Sequence, residues 1–305
     1  MYRKMLLTAN IHAGKGTVGN RLPGVIDYYV SQGWDVTVHT TQGRSELVDY
    51  LTENACGYEM LVSSGGDGTL NETINGLMAC SAPPILSYLP AGTVNDFASS
   101  LKIPKDMAEA ARLLENGVPR RVDLGLFGEQ YFSYVAAFGA FTDVAYQTPQ
   151  AAKQVWGRLA YLVEGVKRLP SLRSYHMKLS ADGFELEDDF LYGMVSNSTS
   201  VGGFRFHEQL GVSMDDGVLE LALVRFPKNL SEQQAVINAL LKQEAVPGLV
   251  YLRRVSHLHI VSEVPVPWTL DGEFGGEVQE LDVRCCPQAL EILVPGEEPK
   301  ADAQA

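Results

Sequence analysis

Three glycine-bearing turns each bring a polar side chain to the end of an apolar run. The sharpest is Ser64-Gly65-Gly66-Asp67-Gly68-Thr69. Its glycines let backbone N–H groups approach a phosphate with no Cβ in the way. A helix starting there favours an anion at its N-terminus, and Thr69 is suited to cap it. Asp67 adds a carboxylate, which calls for a cation or a hydroxyl beside it. A second turn, Pro90-Ala91-Gly92-Thr93-Val94-Asn95-Asp96-Phe97, repeats the design, with Thr93 or Asn95 as cap and Asp96 in the first helical turn. The third, Asn10-Ile11-His12-Ala13-Gly14-Lys15-Gly16, supplies a lysine but lacks the GxxxxGK[ST] spacing of a P-loop. Gly-Asp-Gly is also common in plain tight turns. For Asp215-Asp216-Gly217 spacing alone favours a hairpin turn, and Leu270-Asp271-Gly272-Glu273 admits the same reading.

These turns need strand ends to carry them. Lys4-Asn10, Trp34-Thr40, Glu59-Ser63 and Ile85-Leu89 read as strands, with helical patterns near Leu22-Gln32, Glu46-Asn54, Leu70-Cys80, Val94-Leu101 and Met107-Asn116. Such alternation predicts a parallel sheet covered on both faces, with ligands outside the carboxyl ends of its strands. After Arg120 the pattern changes. Arg121-Phe127, Tyr131-Phe138, Ser174-Ser180, Phe184-Asn197, Val218-Arg225, Val250-Val261, Trp268-Leu270 and Glu280-Cys285 read as strands, with helices only at Ala151-Leu169 and Ser231-Glu244. Many strands with few crossovers predict an antiparallel β-sandwich. The expected organisation is an α/β, three-layer domain over 1–121 and a β-rich domain over 122–288. A last strand near 289–294 is expected to return to the first domain, and 296–305 to form a flexible tail.

The composition narrows the chemistry. Lys plus Arg is 24 against 37 Asp plus Glu, a net charge of −13. That excludes general nucleic-acid binding, where a basic face supplies most of the affinity. It also argues against a protein held on anionic lipid by overall charge. No apolar run approaches the roughly 20 residues of a spanning helix. Cys56, Cys80, Cys285 and Cys286 show no CxxC spacing and no disulfide framework, which predicts free thiols in a reducing cytosol. Of the six histidines only His257 and His259 are closely spaced, as alternate faces of one strand would be. The densest basic stretch is Lys153, Arg158, Lys167, Arg168 and Arg173. A solvated helix face is the ordinary reading, and a lipid-facing patch is the functional one.

Taken in order, these segments resemble the diacylglycerol kinase catalytic family, and in particular the soluble bacterial lipid kinases related to sphingosine kinases. The resemblance runs from Gly65-Thr69 with Leu70-Asn71-Glu72 through Pro90-Phe97 and Val122-Asp123-Leu124-Gly125. It continues through Gln154, Gly157 and Leu159-Ala160-Tyr161 to Gly202-Gly203-Phe204, Asp215-Gly217 and Leu270-Glu273. GGDGT is shared with NAD kinases, whereas the later pieces in this order favour lipid kinases. Ile11 stands where the family usually has proline.

The resemblance implies an ATP- and Mg²⁺-dependent kinase acting on a lipid hydroxyl, with diacylglycerol as the foremost acceptor. It implies nucleotide contacts at Gly65, Gly66, Asp67, Gly68, Thr69, Leu70, Asn71 and Thr93. Asn10, Gly14, Lys15 and Thr41 are expected nearby. It implies an acidic network around the catalytic Mg²⁺ at Asp67, Asp96 and Asp123, and a general base at Asp271 or Glu273. A structural Mg²⁺ is expected at Ser213, Asp216 and Val218, through the backbone carbonyls of the outer two and the carboxylate of Asp216. The expected setting is cytoplasmic, peripheral at the inner face of the membrane, and a homodimer is left open. Two other readings use the same fold: a kinase for a soluble acceptor such as NAD, and a non-catalytic nucleotide or lipid sensor.

Overall fold

The apolar runs of the first 120 residues form strands that pair in parallel. In the computed structural model, which describes residues 3–43, 45–93, 95–139, 173–198, 211–242 and 244–296, β1 (Arg3–Ala9) lies between β2 (Trp34–Thr40) and β3 (Met60–Gly65). β3 pairs in turn with β4 (Ile85–Pro90), whose Leu86 also pairs with Ile292 near the chain's end. β3 is buried at every position and β4 at all but its first, as strands covered on both faces are. β2, at the edge, buries only Trp34. α1 (Thr17–Ser31), α2 (Glu46–Asn54) and α3 (Asp67–Met78) follow β1, β2 and β3. After β4 come α4 (Asp96–Ser100), α5 (Met107–Ala111) and α6 (Leu113–Asn116). α2 and α3 approach closely at Gly76, where a Cβ would stand 2.7 Å from that of Leu51.

Two compact units divide the chain: residues 1–121 with 290–305, and residues 122–289. β5 (Gly117–Phe127) runs from the first unit into the second and pairs antiparallel with β6 (Gln130–Phe132). The second unit is mostly antiparallel. β9 (Phe184–Ser196) pairs with β7 (Val135–Gly139), β8 (Tyr175–Ala181) and β10 (Leu219–Arg225), and β10 pairs with β11 (Val250–Val255). β12 (His257–Leu270) pairs with β7, β8 and the start of β13 (Glu273–Pro295). The core of this unit gathers Phe127, Phe138 and Trp268, with Phe138 and Trp268 centred 4.7 Å apart. One helix of this unit, α7 (Leu230–Lys242), is described. Among the described residues no helix is long and apolar enough to cross a membrane.

The elements differ from the sequence expectation at several ends. The helix expected over Met107-Asn116 is two, broken at Arg112. The helix expected from Val94 starts at Asp96, because Asn95 takes a left-handed φ of 53°. The strands expected at Trp268-Leu270 and Glu280-Cys285 are parts of β12 and β13, while Val250-Val261 divides at Ser256. β12 runs through Pro265 and Pro267 with a register shift between Val261 and Val266.

The larger correction concerns Cys56 and Cys80, which form a disulfide with their Cα atoms 5.6 Å apart. Linear spacing carried no sign of it, since the pairing depends on α3 returning along α2. Cys285 and Cys286 are free. The bond spans 24 positions, a closure worth about 3 kcal/mol through the unfolded chain. Reduction is therefore expected to lower the Tm by about 5–10 °C, and Cys80→Ser to lose this response. Thiol titration in denaturant checks the pairing directly: two reactive thiols before reduction agree with it, and four refute it.

Candidate active site

The two acidic glycine turns of the first unit stand against each other. Gly65 ends β3, Gly66 is the N-cap of α3, and Asp67 opens the helix. Thr69, expected as the cap, instead lies in the first turn, because the helix starts three residues earlier. A Cβ on Gly66 would stand 3.3 Å from the Cα of Gly92, and one on Gly92 only 2.6 Å from Asn95 Oδ1. A Cβ on Gly65 would meet Thr69 at 2.5 Å. The glycines thus permit backbone packing that no other residue type allows.

Asn95 holds the second turn to the first. Its Oδ1 accepts from Gly92 N–H at 3.0 Å, its Nδ2 donates to Gly92 O at 2.9 Å, and its own N–H donates to Asp67 Oδ2 at 3.0 Å. Tyr88, wholly buried on β4, places its hydroxyl 3.1 Å from Gly65 O and 3.3 Å from Asn95 Oδ1. Burial, with the charge of Asp67, raises this phenol well above its ordinary value, so it stays a donor. Asn95, one of the two caps expected for α4, is its N-cap, whereas Tyr88 was not singled out by the sequence. A buried tyrosine after an apolar run reads as core.

The first turn joins the same place. Asn10 N–H donates to Ser64 O at 2.9 Å, and its side-chain amide reaches Thr69 Oγ1 at 3.5 Å, the outer limit of a hydrogen bond. Gly14 and Lys15 belong to a 3₁₀ turn, Ala13–Gly16. Thr41 N–H closes on Ala9 O at 3.0 Å. Thr93 is exposed. Leu70 is wholly buried, so its side chain is core and only its backbone serves the turn. Asn71 accepts from Asn75 within α3.

In the second unit, Asp123 is wholly buried, and its carboxylate accepts from Gly217 N–H and Gln288 N–H, both at 2.7 Å. Its carbonyl accepts from Asn197 Nδ2 at 2.5 Å. Asn197 N–H donates to Tyr134 O at 3.0 Å, and Tyr134 N–H donates to Asp271 Oδ1, also at 3.0 Å. A continuous chain of hydrogen bonds therefore links Asp123 to the β12–β13 hairpin. Asn197 sat in an expected strand, and nothing in its spacing marked this role.

That hairpin turns on Asp271-Gly272, with φ of 50° and 86°. Two central residues at positive φ are the pattern of a type I′ turn. The turn reading of residues 270–273 thus holds. Burial and partners separate the two candidate bases. Asp271 is 2% exposed and accepts from Ser133 N–H (2.7 Å), Ser133 Oγ (2.9 Å), Tyr134 N–H and Val135 N–H (3.1 Å). Four donors saturate its lone pairs. Asp271, one of the two candidate bases, anchors the hairpin through these bonds. Glu273 is exposed on β13.

The turn over Ser213–Gly217 differs from a metal loop in its partners. Ser213 Oγ donates to Asp215, Val218 N–H donates to Asp216 Oδ1 at 3.3 Å, and Arg254 pairs with Asp216 Oδ2. Both oxygens of Asp216 are therefore engaged by groups of the chain itself, so its carboxylate, as it stands, does not fit a bound Mg²⁺. Among the described residues no cluster of three or more His, Cys, Asp or Glu side chains could hold a metal by itself. Lys153, Arg158, Lys167 and Arg168 lie outside the described residues, as do the segments from Gln154 to Tyr161 and from Gly202 to Phe204. Arg173 is described, with its guanidinium 5.0 Å from the centre of the Tyr175 ring.

Comparison with known proteins gives the family. The diacylglycerol kinase catalytic domain matches residues 4–127. The chain is 33% identical over 273 residues to the diacylglycerol kinase of Bacillus subtilis strain 168, covering 88% of each protein. It is 29% identical over 283 residues to that of Staphylococcus carnosus strain TM300, covering 91% of each. A crystal structure assigned as a diacylglycerol kinase of Bacillus anthracis shares the fold, with a TM-score of 0.80 and 24% identity, covering 96% of this chain and 95% of that one. By this sequence similarity, and with the glycine turns, Asp123 and the Asp271 hairpin in place, the chain belongs to the diacylglycerol kinase catalytic-domain family and is a lipid kinase.

Proposed function

We propose that this protein transfers the γ-phosphate of ATP to the hydroxyl of a membrane lipid, with diacylglycerol as acceptor and phosphatidic acid as product. The observation that carries the reading is the paired glycine turn, Gly66 against Gly92, tied by Asn95 to the carboxylate of Asp67. Such a junction offers phosphate oxygens several backbone N–H groups at the start of a 12-residue helix. The reading takes the first unit as a three-layer nucleotide-binding domain, supported by its parallel register, and the second as the acceptor domain.

Phosphoryl transfer needs positioning and charge stabilisation more than covalent chemistry from the protein. The glycine turns hold the phosphates. Glu273 takes the acceptor's hydroxyl proton as that oxygen bonds to the γ-phosphorus and the bond to the β-phosphate oxygen breaks, releasing ADP. Mg²⁺, when bound, would neutralise charge on the phosphate oxygens; Asp67 and Asp96 of the first unit would hold it through water, and the resemblance adds Asp123 to that network. The basic stretch from Lys153 to Arg173 is the proposed contact with anionic lipid, at the inner face of the membrane.

The test is transfer of labelled γ-phosphate from ATP to diacylglycerol in mixed micelles, beside NAD and beside ATP alone. Label in phosphatidic acid alone supports the reading. Label in NADP moves the protein to the soluble-acceptor class. No transfer to either acceptor, with ATP still bound, leaves a sensor.

A further inference from the structure

The structural Mg²⁺ that the family resemblance implies for Ser213, Asp216 and Val218 meets a site whose cation is already present. Three carboxyl groups converge there. Asp123 and Glu220 are buried, at 0% and 4% exposure, and Asp216 pairs with Arg254. Glu220, on β10, lies directly opposite Arg254 on β11, and directly opposite residues share one face of a sheet. Arg254 thus comes from the neighbouring strand onto the face that carries Glu220 and reaches Asp216. The two oxygens of Glu220 have no hydrogen-bond partner among the described residues.

We propose that Arg254 is the resident cation of this acidic turn, standing where the family resemblance places a divalent ion, and that it positions Asp123 through the turn. The chemistry separates the two cations. Mg²⁺ demands near-octahedral oxygen ligands at about 2.0–2.1 Å and gives up its water reluctantly. A guanidinium is always charged and binds a carboxylate through directed N–H donors. Here the carboxylate already receives such donors, from Arg254 and from Val218 N–H. The consequence passes one residue along the chain. Gly217 follows Asp216, sits at a φ of 78°, and donates its N–H to Asp123 Oδ2 at 2.7 Å. A turn fixed by Arg254 keeps that donor in place without a metal.

The stability part of this proposal does not depend on the kinase reading, whereas the role of Asp123 in catalysis rests on it. The experiment is a set of thermal melts without nucleotide, in Mg²⁺ and in EDTA, of the wild type, Arg254→Gln, Arg254→Lys and Asp216→Asn. The wild type is expected to melt within about 1 °C in the two buffers. Arg254→Gln is expected to melt about 5 °C lower in EDTA, with Arg254→Lys between. Arg254→Gln is also expected to lower kcat with little change in the KM for ATP, and Arg254→Lys to recover part of it. A wild-type Tm that falls on chelation, with the fall abolished by Asp216→Asn, overturns the proposal in favour of a bound ion. An Arg254→Gln variant that melts as the wild type in EDTA overturns it as well. Should Arg254→Gln not fold, the wild-type and Asp216→Asn melts still decide. A protein that phosphorylates no lipid while giving the expected melts refutes the proposed function and leaves the resident arginine standing.

Discussion

Glu273→Gln is expected to cut kcat by about 10²–10⁴-fold, the contribution of a single well-placed general base. The KM for ATP should hardly move, because the glycine turns that carry the phosphates belong to the first unit and Glu273 to the second. Stability should hold too. Glu273 is exposed, and its place in β13 is set by the strand pairing of Leu270 with Glu273. Glutamine preserves volume and reach but accepts a proton poorly. The check is a steady-state assay on lipid micelles beside a melt and an ATP titration. A kcat within a few-fold of wild type, with normal melting, would place the base elsewhere.

Sequence alone left Asp271 and Glu273 as equal candidates, since two carboxylates two positions apart look alike on a page. Burial and partners distinguish them, and both depend on residues 133–135, some 137 positions upstream. The glycine turns were legible because their information is local: a backbone that must touch another backbone leaves glycine in the sequence, as at Gly65, Gly66 and Gly92. The groups that fasten those turns were not legible. Tyr88 reads as core, Asn197 as the end of a strand, and Arg254 as a surface cation. Each acquires its role only when strands distant in sequence are laid side by side. The Cys56–Cys80 bond failed to show for the same reason. The antiparallel pattern after Arg120 was legible from many strands with few helical crossovers, but its strand limits were not, because proline and glycine near β12 and β13 mark register shifts rather than ends.

Asp271→Asn is expected to lower the Tm by about 10 °C, the largest stability loss of any single change considered for the second unit. Asparagine tolerates the left-handed φ of 50° that this turn requires, so backbone strain is not the cause. The cause is donor count. Asp271 Oδ2 receives Ser133 N–H and Oγ–H, and Oδ1 receives the N–H groups of Tyr134 and Val135. An amide keeps one oxygen and turns the other into a donor, so two buried donors are left facing a third. Hydrogen bonds to a charged group contribute about 1.5–3 kcal/mol each, and a stranded buried donor costs about 1–3 kcal/mol. A net loss of roughly 3–5 kcal/mol follows, since such terms overlap and do not add. At about 2–4 °C per kcal/mol for a unit of this size, that is the predicted shift. Activity should fall as well, but as a consequence: Tyr134 O accepts from Asn197, and Asn197 in turn holds the carbonyl of Asp123. Melting and kcat measured together on Asp271→Asn and Glu273→Gln separate anchor from base. A variant Asp271→Asn that melts as the wild type yet loses its turnover would return the proton-accepting role to Asp271.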